Sequence, residues 1–260
     1  MSFDWPFFWH YLLSPSAAYL NGLMLTLVLS VIAQTLGTIL GLFAALGRMS
    51  RLVALKLVVR AYVWIMRGTP LLVQIVFIYT GLAAGGIFRF QDISLGILTI
   101  PGNVQAGLLA LSLNEAAYMA EIIRAGIASV DSGQTEAAKS LGMTCGLLMR
   151  RIILPQAARF VIPPLGNEFN AMLKNTTLVS VIGVPELLLT TETLTSATFR
   201  VFELYSVVAL YYLTLTTLWG IVQARIEARF GEPVAAAGPK PGLGERIFGF
   251  TLIRAVRGKG

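Results

Sequence analysis

The chain alternates between long apolar runs and short polar segments. The first run, from about Asn21 to Gly47, carries no charged residue, and such a run is long enough to cross a bilayer as a helix. Within it Gly37, Gly41 and Ala45 form a row of small residues, a pattern that lets a second helix approach closely but is also common in apolar segments by chance. A second span is predicted from about Leu55 to Thr80, with a kink or break at Pro70 because proline removes a backbone donor and crowds the preceding turn. The stretch Gly81–Ile100 reads as an external loop. A third span covers Gly102 to Ser129 and is interrupted by Asn114, Glu115, Glu121 and Arg124. A fourth, Gln156 to Gly183, reads as broken by Pro163, Pro164, Gly166 and the run Lys174-Asn175-Thr176-Thr177. The stretch Val184–Arg200 is weakly amphipathic and is expected outside. A fifth span runs from Val201 to Val222. Hydropathy therefore predicts an all-α polytopic membrane protein of about five transmembrane helices.

Composition agrees with that pattern. Hydrophobic residues make up 56% of the 260 residues, charged residues 13%, and mean hydropathy is +0.74. Soluble domains carry about 25% charge. One cysteine, Cys145, and one histidine, His10, exclude an intrachain disulfide and leave no set of residues for a thiolate or histidine metal site. The start of the chain is aromatic, with Trp5, Phe7, Phe8 and Trp9, and has no basic residue before Arg48. It reads as an interfacial segment over residues 1–20, not as a cleaved signal peptide.

Charge orients the spans. Of 20 Lys+Arg, all but Arg89, Lys174 and Arg200 fall on one side if there are five spans. The positive-inside bias then places the N-terminus outside and the C-terminus in the cytoplasm. The net charge of +7 is thus accounted for by cytoplasmic loops near anionic lipid, and no nucleic-acid partner is expected. Residues 21–229 form the transmembrane domain. Residues 230–260, rich in Pro, Gly and Ala before a basic end, read as a flexible cytoplasmic tail.

The most specific signal lies in the cytoplasmic segment 131–155. Glu136-Ala137-Ala138 is followed after three residues by Gly142 and after nine more by Ile152, then Leu154 and Pro155. Local chemistry predicts a short helix, a turn at Gly142, and a second short helix, with Pro155 starting span four where no N–H is needed. Glu136 and Lys139, three apart, are placed to pair weakly. No G-x4-G-K-[S/T] phosphate loop with a strand and helix around it is present.

The spacing Glu-Ala-Ala-x3-Gly-x9-Ile-x-Leu-Pro resembles the EAA loop of bacterial ABC importer permeases. RGTPLLVQ at Arg67–Gln74, NEAAYMAEIIRAGI at Asn114–Ile127 and PPLGNEFNAMLKNTTLVSVIGVPEL at Pro163–Leu187 look like the polar amino acid branch, of the histidine/glutamate/arginine/opine type. The resemblance implies a bacterial inner-membrane subunit of an ATP-driven importer. It implies that Glu136, Ala137, Ala138, Gly142, Leu154 and Pro155 dock on a dimeric ABC ATPase. It implies further a second permease chain, identical or paralogous, a periplasmic or lipid-anchored binding protein, and an amino acid as cargo. This chain would have no catalytic role and no cofactor; ATP and Mg2+ would act on the ATPase.

The intramembrane polar residues are candidates for the substrate path, because each ionisable group there costs roughly 2.5–3.5 kcal/mol on insertion scales and must face protein or water. Glu115 and Tyr118 share a face with Asn114 beside them. Glu121 lies about 240° around the helix from Glu115 and can pair with Arg124. Asn167, Asn170, Lys174 and Thr177 make a polar stripe down span four, and Glu168 with Asn175 marks a second. Such stripes can hold a zwitterion, its carboxylate at Lys174 and its ammonium at Glu115 or Glu168. They equally allow Lys174 to snorkel and the asparagines to join helices. Thr69 and Gln74 can also border the path. The alternative function is a self-contained secondary transporter or channel, which would have no use for the EAA segment. An intramembrane protease is disfavoured, because Lys174 and Ser180 fall on different faces.

Overall fold

The computed structural model describes residues 3–96 and 98–230; the proposed tail lies outside them, apart from Phe230. A short aromatic helix, α1 (Trp5–Leu13), is capped by the Asp4 side chain, which accepts from the Phe7 N–H at 3.1 Å. Next come α2 (Ala17–Met49) and α3 (Val53–Gly68). After a break at Thr69-Pro70, α4 (Leu71–Val76) continues through a π-turn, Phe77–Gly81, into α5 (Leu82–Ala84). A small antiparallel hairpin, β1 (Ile93–Leu95) and β2 (Leu98–Ile100), pairs Ile93 with Ile100. It stands within the expected external loop, where periodicity gave no sign of it.

The second half begins with α6 (Gly102–Ala128), followed by α7 (Ser132–Ser140), α8 (Cys145–Leu148), a π-turn (Met149–Ile153) and α9 (Leu154–Asn175). A 3-10 turn, Thr176–Ile182, ends at Gly183, and α10 (Leu187–Thr198) and α11 (Val201–Phe230) complete the described chain. Among the described residues three helices, α2, α6 and α11, are long and apolar enough to cross a membrane. Two bent pairs raise the number to five: α3 with α4–α5, bent by 110°, and Cys145–Ile182 with α10, bent by 53°.

The pair α2 and α6 forms the centre. Gly37 and Gly41 face α6 so closely that a Cβ on Gly37 would lie 2.5 Å from Glu115 Cγ, and one on Gly41 would lie 2.5 Å from Met119 Cβ. The small-residue row is therefore the contact face. The pairing Gly37 to Glu115 and Gly41 to Met119 advances in the same sense on both helices, so α2 and α6 run parallel. Helix α9 runs back along α6, with Val161 against Gly126 and Val179, just past its end, against Gly107. A buried cluster of Leu29, Ile75, Ala110, Leu111, Met172 and Val179 joins them.

One expectation needs correction. Pro163 and Pro164 do not break the fourth span: α9 runs straight through them. Neighbouring α11 packs along the same helix, with Trp219 Nε1 donating to the Gly166 carbonyl at 2.8 Å. The helix changes character only at Thr176, where the 3-10 turn starts. The stretch Val184–Arg200 forms a helix packed into the bundle. Its α10 is seated on α2, with Gly22 giving room to Thr190 and the Glu186 carbonyl, and Leu187, Thr190 and Thr191 are buried. Pro155 stands in the first turn of α9, as its missing N–H predicts. The helical run begins at Cys145 and passes through the π-turn, so that Leu154 N–H reaches back to the Met149 carbonyl immediately before the proline that has no donor to offer.

At the end away from residues 131–155, α1 is clasped to α11. Arg200 pairs with Asp4 at 3.0 Å and with Glu203 at 3.6 Å, and the Asp4 N–H donates to Glu203 at 2.9 Å.

Candidate functional site

Two places gather the residues singled out by sequence. The first is the segment 131–155. Asp131 caps α7 by accepting from the Gly133 N–H at 2.8 Å. At the other end Gly142 N–H bonds the Lys139 carbonyl at 2.9 Å and Met143 N–H bonds the Ala138 carbonyl at 3.1 Å. With φ at +75° on Gly142, this is a complete Schellman cap, and a residue with a Cβ would be strained there.

The turn leads into α8 and, without interruption, into α9. The expected second short helix is therefore the first part of a long one. Ala138 is buried at 2% and anchors α7, whereas Glu136, Ala137 and Gly142 are exposed and Leu141 is 83% exposed. Among the described residues Glu136 and Lys139 form no ion pair. Leu154 and Pro155 are exposed on the first turn of α9.

The second place is the break in the α3–α4 pair. Arg67 sits on its last helical turn, exposed, with its guanidinium 5.1 Å from the centre of the Tyr118 ring on α6, a cation–π contact. An exposed cation at the end of α3 thus lies against an aromatic ring of α6, and Glu168 is carried by the neighbouring α9.

The remaining candidates divide. Asn114 is buried and donates to the Met66 carbonyl at 3.2 Å and to Gln74 Oε1 at 3.0 Å. Glu115 is buried between α6 and α2, where it accepts from Gln34 Nε2 at 2.7 Å. Asn167 is turned toward α11, accepting from Gln223 at 3.1 Å. Asn170 is half-buried and Lys174 exposed on α9, while Thr177 falls past the helix end and bonds back to the Lys174 carbonyl at 2.7 Å. Glu121 pairs with Arg124 at 2.9 Å, as its spacing predicts, and also with Arg48 of α2.

Four participants escaped sequence reading. Arg67 reads in the sequence only as an inner-side charge. Gln34 is the sole glutamine or asparagine of α2 between Gly22 and Met49, an isolated amide in an otherwise apolar run and thus a visible signal. Arg48 as a partner of Glu121, and Leu141 as an exposed apolar tip, had no local signature.

Comparison with known proteins decides the family. Residues 37–232 match the family described as binding-protein-dependent transport system inner membrane component. The chain belongs to this family. It is similar to the octopine transport system permease protein of Rhizobium radiobacter, at 41% identity over 83% of this chain and 85% of that protein. It is also similar to the glutamine transport system permease protein of Escherichia coli (strain K12), at 34% identity over 88% and 98%. Among solved structures it resembles the crystal structure of an amino acid ABC transporter with histidines, with a TM-score of 0.77 and 42% identity, covering 88% of this chain and all of that one. The family member is accordingly a permease component, a multi-pass protein of the bacterial inner membrane.

Proposed function

We propose that this permease is the membrane subunit of an ATP-driven importer for polar amino acids and is moved by a separate ATPase through residues 131–155. The observation that carries the reading is the capped helix α7, with exposed Glu136 and Leu141, joined through α8 to the span that bears Asn167, Glu168 and Lys174. A partner that shifts α7 would thereby move the polar face of α9. Relatives whose names specify octopine and glutamine transport support an amino acid or opine as cargo.

The subunit would work in pairs. Arg67, Asn167 and Lys174 are exposed on helices that cross the membrane, where lipid is a poor neighbour for them. A second permease chain, identical or paralogous, would cover this face and enclose a path. The N-terminus and Arg89 would then lie outside, where a binding protein delivers cargo, and residues 131–155 in the cytoplasm. ATP and Mg2+ would act only on the ATPase dimer. Closure of that dimer would swing the path outward and hydrolysis would return it.

Within the path, Arg67 is suited to the cargo carboxylate, since its planar fork matches a carboxylate in two hydrogen bonds. Glu168, and Glu115 behind it, would face the ammonium or a cationic side chain. Arg67→Ala should lower uptake by roughly 30-fold, equivalent to about 2 kcal/mol for a lost charged hydrogen-bond pair, with normal amounts of assembled complex. Arg67→Lys should recover part of it. Uptake of labelled amino acid into proteoliposomes holding the ATPase checks this; unaltered uptake by Arg67→Ala would remove Arg67 from the path.

A further inference from the structure

We infer that Gln74 and Asn114 are positioning residues for Arg67: their paired side-chain amides hold the interrupted span open and so set where the guanidinium points. This rests on the reading of Arg67 as a path residue.

The inference starts from Pro70. In an unbroken helix the Met66 carbonyl would accept from the N–H of residue 70, and proline has none. Inside a membrane no water is at hand to replace that donor, so an unpaired carbonyl is costly. Two side chains supply it. Gln74 Nε2 donates to the Met66 carbonyl at 2.8 Å, and Asn114 Nδ2 reaches the same oxygen at 3.2 Å. Gln74 Nε2 also lies 3.1 Å from the Thr69 carbonyl and 2.8 Å from the Thr69 hydroxyl, its two protons shared among three acceptors. The Thr69 hydroxyl in turn donates to the Ile65 carbonyl at 2.9 Å. Asn114 Nδ2 closes the set by donating to Gln74 Oε1 at 3.0 Å.

These bonds bracket Arg67 on both sides, at Met66 and at Thr69. They run from α4 and α6 to the end of α3, so they fix the 110° bend relative to the helix that carries Tyr118 and Glu115. Gln74 is 8% exposed and Asn114 9%, which keeps both amides behind the path wall while Arg67 is exposed in front of it. Without the amides, the Met66 and Thr69 carbonyls must find other donors by turning, and Arg67 turns with them.

The test uses a Cys145→Ser chain, which has no other cysteine, carrying Arg67→Cys and reconstituted with its ATPase. The rate of reaction of the new thiol with a negatively charged methanethiosulfonate reports the direction of the turn. Addition of Gln74→Met or Asn114→Leu should slow labelling roughly tenfold, the effect of losing one or two such hydrogen bonds. Pull-down of the ATPase should be unchanged. Asn114→Ala, which only removes atoms, serves as the variant expected to assemble in every case. Equal labelling rates in parent and variants would overturn the positioning role while leaving Arg67 in the path. A thiol that is inert in the parent itself would overturn both.

Discussion

Glu136→Arg is expected to release the ATPase and to lower ATP-driven uptake about 100-fold, the scale of an interface charge worth roughly 2–5 kcal/mol when reversed or unpaired. The side chain is exposed and makes no ion pair among the described residues, so the described fold loses no ion pair by the change. The Schellman cap at Gly142 and the buried Ala138 keep α7 in place, and the substitution therefore alters the charge presented, not the helix. Membrane level and melting temperature should match those of the unsubstituted chain, while pull-down recovers little ATPase. Co-purification of the ATPase at the usual ratio with Glu136→Arg would place its docking surface elsewhere.

Gly41→Leu is expected to prevent folding altogether. A Cβ at Gly41 would lie 2.5 Å from Met119 Cβ, 2.9 Å from the Ala116 carbonyl oxygen and 3.1 Å from the Ala120 nitrogen. Two of those atoms are backbone of α6 and the third is fixed to it, so no rotamer change relieves the clash and the helices must part. Overpacking by a methylene costs about 1–3 kcal/mol, and a whole leucine at a helix contact costs more. A loss of even ~3 kcal/mol lowers a melting midpoint by roughly 10 °C in a domain of this size. Gly220→Ala on α11, where a Cβ would meet nothing within 4 Å, is the control and should melt as the parent does. A normal melting curve for Gly41→Leu would contradict the parallel packing of α2 on α6.

These two effects show which features a sequence displays. Gly142 and Pro70 act on their own backbone: one must turn left-handed, the other removes a donor. Local chemistry therefore announces the cap and the bend before any contact is known. The spans announce themselves by length and apolarity, and the ends of α6 fall within a residue of where hydropathy places them. Gly37 and Gly41 are intermediate. The row is visible, but its meaning comes from Glu115 and Met119, which lie far along the chain.

Features that depend on a distant partner were hidden. Nothing near Arg48 points to Glu121, and nothing near Gln34 points to Glu115. Pro163 and Pro164 carry the same local signal as Pro70, yet α9 stays helical through them. At Pro70 the helix breaks, and Gln74 and Asn114 satisfy the open form. Likewise the weak amphipathy of Val184–Arg200 could not show that Gly22 of α2 leaves room for α10. In the candidate site, Asn114 was singled out for its polarity in an apolar span, but its hydrogen bonds direct it to the backbone of α3.

The most direct measurement is amino acid uptake by proteoliposomes holding this permease, its ATPase and a binding protein, with ATP either enclosed or omitted and with proton and sodium gradients collapsed. The account predicts uptake that requires enclosed ATP, persists without ion gradients, and vanishes in Glu136→Arg. Uptake by the chain alone, without the ATPase and driven by an ion gradient, would contradict it and make the protein a self-contained transporter.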